Sequence, residues 1–159
     1  MRKLLALTAI ALTLAACGSA TSSSPGSSPS SSTTSHVTLA KTKFVLHAGL
    51  AFGAFHRYIY KPFRAGEFSH PFSHKIMLIK AGVAALFIRH ELRLALTDAQ
   101  SSPTLSKLVS PITSLEHRLS GDVKSGGSAL NQDNSAIRSL EQQSSNSGQP
   151  ITESAPSHL

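Results

Sequence analysis

Apolar residues recur at helical spacing through most of the chain between positions 38 and 143. From Thr38 to Tyr60, the residues Phe44, Ala48, Phe52, Phe55 and Ile59 share one sector of a wheel drawn at about 100° per residue, which predicts an amphipathic helix. Gly49 and Gly53 lie four apart on a different face, so close packing of a neighbouring helix is expected there. Lys61-Pro62 is expected to end the helix, because proline disfavours the helical region at the residue before it. Phe63 to Ser73, with Gly66 and Pro71, reads as a connection. A second helix is predicted from about Ser73 to Gln100. Its apolar residues point in nearly every direction, the pattern of a helix central to a bundle or a membrane. The uncharged stretches Phe44–Phe55 and Ala81–Ile88 fall well short of the roughly 20 residues a span requires, so a buried core is the expectation.

Ser101-Ser102-Pro103 offers an N-cap with proline at the first helical position. Leu105, Leu108, Ile112, Leu115 and Leu119 then follow at alternating spacings of three and four. Ser110-Pro111 either kinks this helix or starts a new one. Gly126-Gly127 breaks the pattern, and a weak final helix is predicted over Asn131–Gln143 with Ile137 and Leu140 as anchors. No segment alternates as a strand. The fold class is all-α: a long antiparallel helical hairpin plus one or two shorter amphipathic helices.

The two ends differ from this middle. Residues 18–36 hold thirteen Ser or Thr and no large apolar side chain, so residues 17–36 are expected to be a disordered linker. Residues 144–159 read as a disordered, frayed tail, which leaves 37–143 as the helical domain. At the other extreme, Arg2 and Lys3 precede thirteen residues, Leu4–Ala16, with no charge. That is a charged n-region before an apolar h-region of signal-peptide length, which assigns 1–16 to targeting. Leu14-Ala15-Ala16-Cys17 matches the lipobox residue by residue, so the segment resembles a bacterial lipoprotein signal peptide. The resemblance implies a diacylglyceryl group on the Cys17 sulfur, cleavage before Cys17, and anchoring to the extracytoplasmic face of the cell membrane. Cys17 is the chain's single cysteine, so no intramolecular disulfide can form, and lipidation would leave the mature protein without a free thiol.

Formal net charge is +7, and removing Arg2 and Lys3 leaves 13 Lys+Arg against 8 Asp+Glu. Nine of those cations and three of the acids lie between Val37 and Gln100, so the positive charge sits on the hairpin half. The densest stretch runs from Phe55 to Lys75, where aromatics interleave with cations at the predicted hairpin tip. Arg57, Tyr58, Tyr60, Lys61, Phe63, Arg64 and Lys75 form the candidate patch. Such a surface suits an anionic lipid interface, an anionic cell-wall polymer or an envelope protein. Nucleic acid is not expected as a partner of an extracytoplasmic lipoprotein. This stretch, with the His-Glu-Leu-Arg-Leu-Ala-Leu segment at 90–96, resembles secreted proteins of actinobacteria, a resemblance that implies no activity, ligand or catalytic residue.

Eight histidines raise the question of metal. His47 and His56 are nine apart and face opposite ways on a regular helix. His56, His70 and His74, with Glu67 nearby, could converge at the tip to hold zinc, copper or haem. This is the alternative to a reading with no metal and no cofactor. Glu67, Glu91 and Asp98 are the acids of the hairpin half, and on the wheel Glu91 falls near Lys80, a shared charged face. No nucleophile elbow, Walker loop or dinucleotide glycine pattern occurs, so a non-enzymatic binding or scaffolding role is expected.

Overall fold

A computed structural model describes residues 31–69 and 75–159. The signal segment, Cys17 and most of the linker lie outside the described residues, as do His70 and His74. The fold is all-α, and no strand occurs among the described residues. Helix α1 (Ser31–Phe55) passes through a five-residue π turn (His56–Tyr60) into α2 (Lys61–Arg64) without a break. Helix α3 (Lys75–Gln100) runs back along α1, and a 3₁₀ turn (Pro103–Leu105) leads into α4 (Ser106–Ser125) and α5 (Gly127–Asn146). Successive long helices pack on one another, and α5 closes the ring against the π turn. No described helix is long and apolar enough to cross a membrane.

Several boundaries differ from expectation, each for a local reason. The first helix starts at Ser31, inside the segment read as linker. It also continues through Pro62. Proline has no N–H to donate, and in regular α geometry its ring would press on the Tyr58 carbonyl. The chain avoids this by widening to π spacing, with the Lys61 N–H donating to the His56 carbonyl. Pro111 stands inside α4, which neither ends nor restarts there. Ser102 is extended before the 3₁₀ turn, but its side chain makes no capping bond. Gly126, at φ 61°, does separate α4 from α5. The last helix is longer than predicted, and both Ile137 and Leu140 are buried as expected.

The core draws on all four long helices. Phe44, Phe52, Phe55 and Ile59 come from the first rod, Ile88 and Leu92 from α3, Leu108 and Ile112 from α4, Leu130 and Leu140 from α5. Where α1 meets α3 the seam is alanine-rich: Ala48, Ala51 and Ala54 on one side, Ala81, Ala84 and Ala85 on the other. Small side chains let the two helices approach closely. They also leave the larger residues of α3's first half outside: Ile76, Ile79, Val83 and Leu86 are exposed. The expectation that α3's apolar residues are core therefore holds for its second half and for the alanine face of its first, and fails for Ile76, Leu78, Ile79, Val83 and Leu86.

Ion pairs tie each neighbouring pair of helices. His47 on α1 bonds Glu91 on α3 at 2.7 Å. Arg89 and Arg93 on α3 both donate to Glu116 on α4, at 2.6 and 2.9 Å. Arg118 on α4 donates to Asp133 on α5 at 2.6 Å. Glu91 is thus buried against a histidine rather than part of a charged face with Lys80. Burial pushes Glu116 up, but the bonds and charges of Arg89 and Arg93 outweigh it and hold the carboxyl below its ordinary range. Pairs of this kind fix which helix lies beside which more than they add net stability.

The largest departure is the C-terminus. The α5 helix ends in a Schellman arrangement: Gly148 has φ 74°, and the Gln149 N–H donates to the Ser144 carbonyl at 2.9 Å. The segment beyond is not helical, yet it lies on the Gly49–Gly53 face of α1. The Ser154 N–H donates to the Gly49 carbonyl at 3.0 Å, and the Tyr58 hydroxyl donates to the Pro156 carbonyl at 2.6 Å. A methyl group added to Gly53 would stand 2.5 Å from the Ser154 carbonyl carbon. The two glycines do permit close approach, but the neighbour is the backbone of the non-helical tail and not a helix. Residues 149–156 pack on the folded unit.

Candidate functional site

Three elements meet at a cleft of ≈ 860 Å³. The π turn and α2 supply His56, Arg57, Tyr60, Lys61 and Arg64. Helix α5 supplies Asn134, Arg138 and Glu141, which at positions i, i+4 and i+7 share one face. The tail supplies Glu153 and Ala155. Four of the predicted patch residues, Arg57, Tyr60, Lys61 and Arg64, therefore come together. The other three do not line the cleft. Tyr58 turns to the tail, under the Arg57 guanidinium, which stands 5.5 Å from its ring centroid. Phe63 packs on the core beside Tyr60, with ring centroids 6.3 Å apart. Lys75 opens α3 in solvent.

His56 organises the floor. Its Nδ1 lies 2.6 Å from a Glu153 carboxylate oxygen and its Nε2 lies 2.8 Å from the Asn134 amide oxygen. The Asn134 amide suits either charge state of the ring: its oxygen accepts from an imidazolium, and its NH₂, turned over, donates to the neutral ring. Glu141 shares a hydrogen bond with Glu153. Burial first, and then the neighbouring Glu153 carboxylate, push Glu141 up to about 7, against opposing pulls from His56 and Arg138. Glu141 is thus the carboxyl of this cleft held above its ordinary range. The carboxyl pair and the ring join α5, the π turn and the tail, so they act as a three-way clasp.

Of the alternative metal set, only His56 lies among the described residues, and both its ring nitrogens face protein oxygens. No group of three His, Cys, Asp or Glu among the described residues is placed to hold a metal ion. Glu67 lies outside the cleft, with one carboxyl oxygen buried and unpartnered.

No family model, curated protein or solved structure matches the chain. Function must be read from the geometry. The rim carries four cations, Arg57, Lys61, Arg64 and Arg138, around Tyr60. Of the two cleft carboxyls, Glu153 is bonded to His56 and Glu141 is hydrogen-bonded to Glu153. Four cations against two carboxyls with protein partners give the cleft an excess of positive charge. Sequence reasoning missed Asn134, Arg138, Glu141 and Glu153. The first three were visible as a polar stripe at helical spacing, indistinguishable from a solvated face. Glu153 carried no signal, because nothing local marks the tail as ordered.

Proposed function

We propose that this chain is a lipid-anchored, extracytoplasmic binding module of the cell envelope, without enzymatic activity. Lipid on Cys17 would hold it at the membrane, and its tip cleft would bind the phosphodiester chain of an anionic cell-wall polymer. The observation that carries the reading is the convergence of Arg57, Lys61, Arg64 and Arg138 on one concave site beside Tyr60. A concave site with arginine forks suits phosphate groups spaced along a flexible chain better than it suits a flat headgroup surface. Cleft acids and imidazole satisfy one another, which supports a binding role over proton-transfer chemistry on a ligand.

The test is titration of the chain from Gly18 with polyglycerol phosphate at low and high salt. Binding should weaken steeply with salt and fall about tenfold or more when Arg57, Lys61 and Arg64 are replaced by glutamine. These side chains are exposed, so the variant should keep its fold. Unchanged affinity at low salt would reject the cleft as the site. Binding only to phosphatidylglycerol vesicles would replace the polymer by lipid. Replacing Cys17 with serine in the native host should release the protein from the membrane fraction.

A further inference from the structure

The first half of α3 presents a surface that the cleft does not use. Ile76, Ile79, Val83 and Leu86 are 71%, 66%, 45% and 67% exposed. At about 100° per residue they fall within about 80° of one another. Lys75 lies just beyond one edge of this sector and Lys80 beyond the other. Gly82, beside the stripe, has no atom within 4 Å of where a Cβ would stand. The only acids of α3, Glu91 and Asp98, lie in its second half and face His47 on α1. The stripe and its borders are thus apolar and cationic, with no negative charge.

We infer that this face of α3 seats on an anionic phospholipid bilayer, with the helix lying in the interface plane. An apolar stripe edged by lysines is what an interfacial helix requires: the aliphatic side chains enter the acyl boundary while the lysines extend to the headgroups. Charge selects this occupant over a second copy of the chain. An isologous pairing across the stripe would set Lys75 and Lys80 against their own copies, with no acid on the face to offset them. The stripe is also only about 15 Å long at 1.5 Å per residue, which is small for the roughly 800 Å² per partner of a stable dimer. The inference draws on the proposed function only for nearness to the membrane, and it uses different residues.

The chain contains no tryptophan, so Ile79→Trp introduces a single fluorescent reporter at the centre of the stripe. In the chain from Gly18, its emission should shift to the blue with vesicles of phosphatidylglycerol and phosphatidylcholine. Brominated acyl chains should quench it, and the shift should persist at high salt. Adding Ile76→Ser, Val83→Ser and Leu86→Ser should reduce the partition coefficient by about tenfold or more without lowering the melting temperature, since these side chains are exposed. Adding instead Arg57→Gln, Lys61→Gln and Arg64→Gln should leave the blue shift in place. A reporter that stays in water while vesicles are bound through the cleft would overturn the inference and spare the cleft reading. A blue shift that grows with protein concentration in the absence of vesicles would also overturn it, in favour of a second copy.

Discussion

Two glycine-bearing helix faces in this molecule have opposite fates. On α1, Gly49 and Gly53 lie under the tail so closely that backbone meets backbone. On α3, Gly82 sits beside Ile79, Val83 and Leu86 with no cover at all. By hydropathy the ranking is inverted. The covered face takes a polar segment, Thr152-Glu153-Ser154, and the bare one carries four large aliphatic side chains. Burial here follows what can reach a face and hydrogen-bond with it. The tail reaches α1 because α5 ends beside it, and it satisfies its own N–H on the Gly49 carbonyl. Nothing in the described fold covers the Ile76–Leu86 stripe of α3.

The contrast breaks most visibly at the covered face. Gly49→Ala with Gly53→Ala should displace the tail. Overpacking of this kind costs about 1–3 kcal/mol per site. Denaturant unfolding should report the loss, and hydrogen exchange at 150–158 should quicken. Gly82→Ala is the matched control, because the residue is helical and has open space around it. It should stabilise the fold by up to about 1 kcal/mol through helix propensity alone. Equal effects of the two substitutions would mean that the tail is not seated on α1.

A smaller effect comes from the clasp. Glu141 titrates at about 7 in the folded chain against an ordinary value of 4.5, so the folded state holds the extra proton between these values. An acid raised in this way costs stability as it ionises, so stability should decline as pH rises through 7. Asp133, pushed up to about 6 mainly by burial, acts in the same sense at lower pH. Glu116, held low, loses its contribution only in more acidic solution, below its ordinary value. The melting temperature should therefore be higher near about pH 5.5 than near about pH 8. Glu141→Gln, which fixes the protonated shape, should flatten the part of that slope between about pH 4.5 and pH 7. A slope unchanged in this variant would assign the pH dependence elsewhere.

The helices were legible because a 3.6-residue period survives in Phe44 to Ile59 and in Leu105 to Leu119, and because Gly126 interrupts it cleanly. The clustering of cations near the tip was legible as composition, and four of seven patch residues do share a cleft. Three features were not legible, for physical reasons. The alanine seam decides which of α3's apolar faces is inside, and periodicity alone cannot rank an alanine face above an isoleucine face. His47 and Glu91 are 44 positions apart, so their pairing follows from how far α3 slides along α1. The tail's order depends on two missing Cβ atoms a hundred residues upstream, where the glycine spacing announced a close neighbour without naming it.

The widened turn at His56–Tyr60 has one last consequence. A π turn carries one residue more than the α turn it replaces, so it works as a phase shift in an otherwise periodic rod. Everything beyond it is rotated by about 100° relative to a straight continuation. Lys61 and Arg64 reach the cleft because of that rotation, and Tyr60 stacks on Phe55 at 5.8 Å across it. Deleting a single residue from the turn would restore α spacing and leave both cations at the rim, whereas α spacing imposed on the unshortened rod would swing them off it. The placement of the cleft's charge is thus encoded less by which residues are basic than by a single count along the chain.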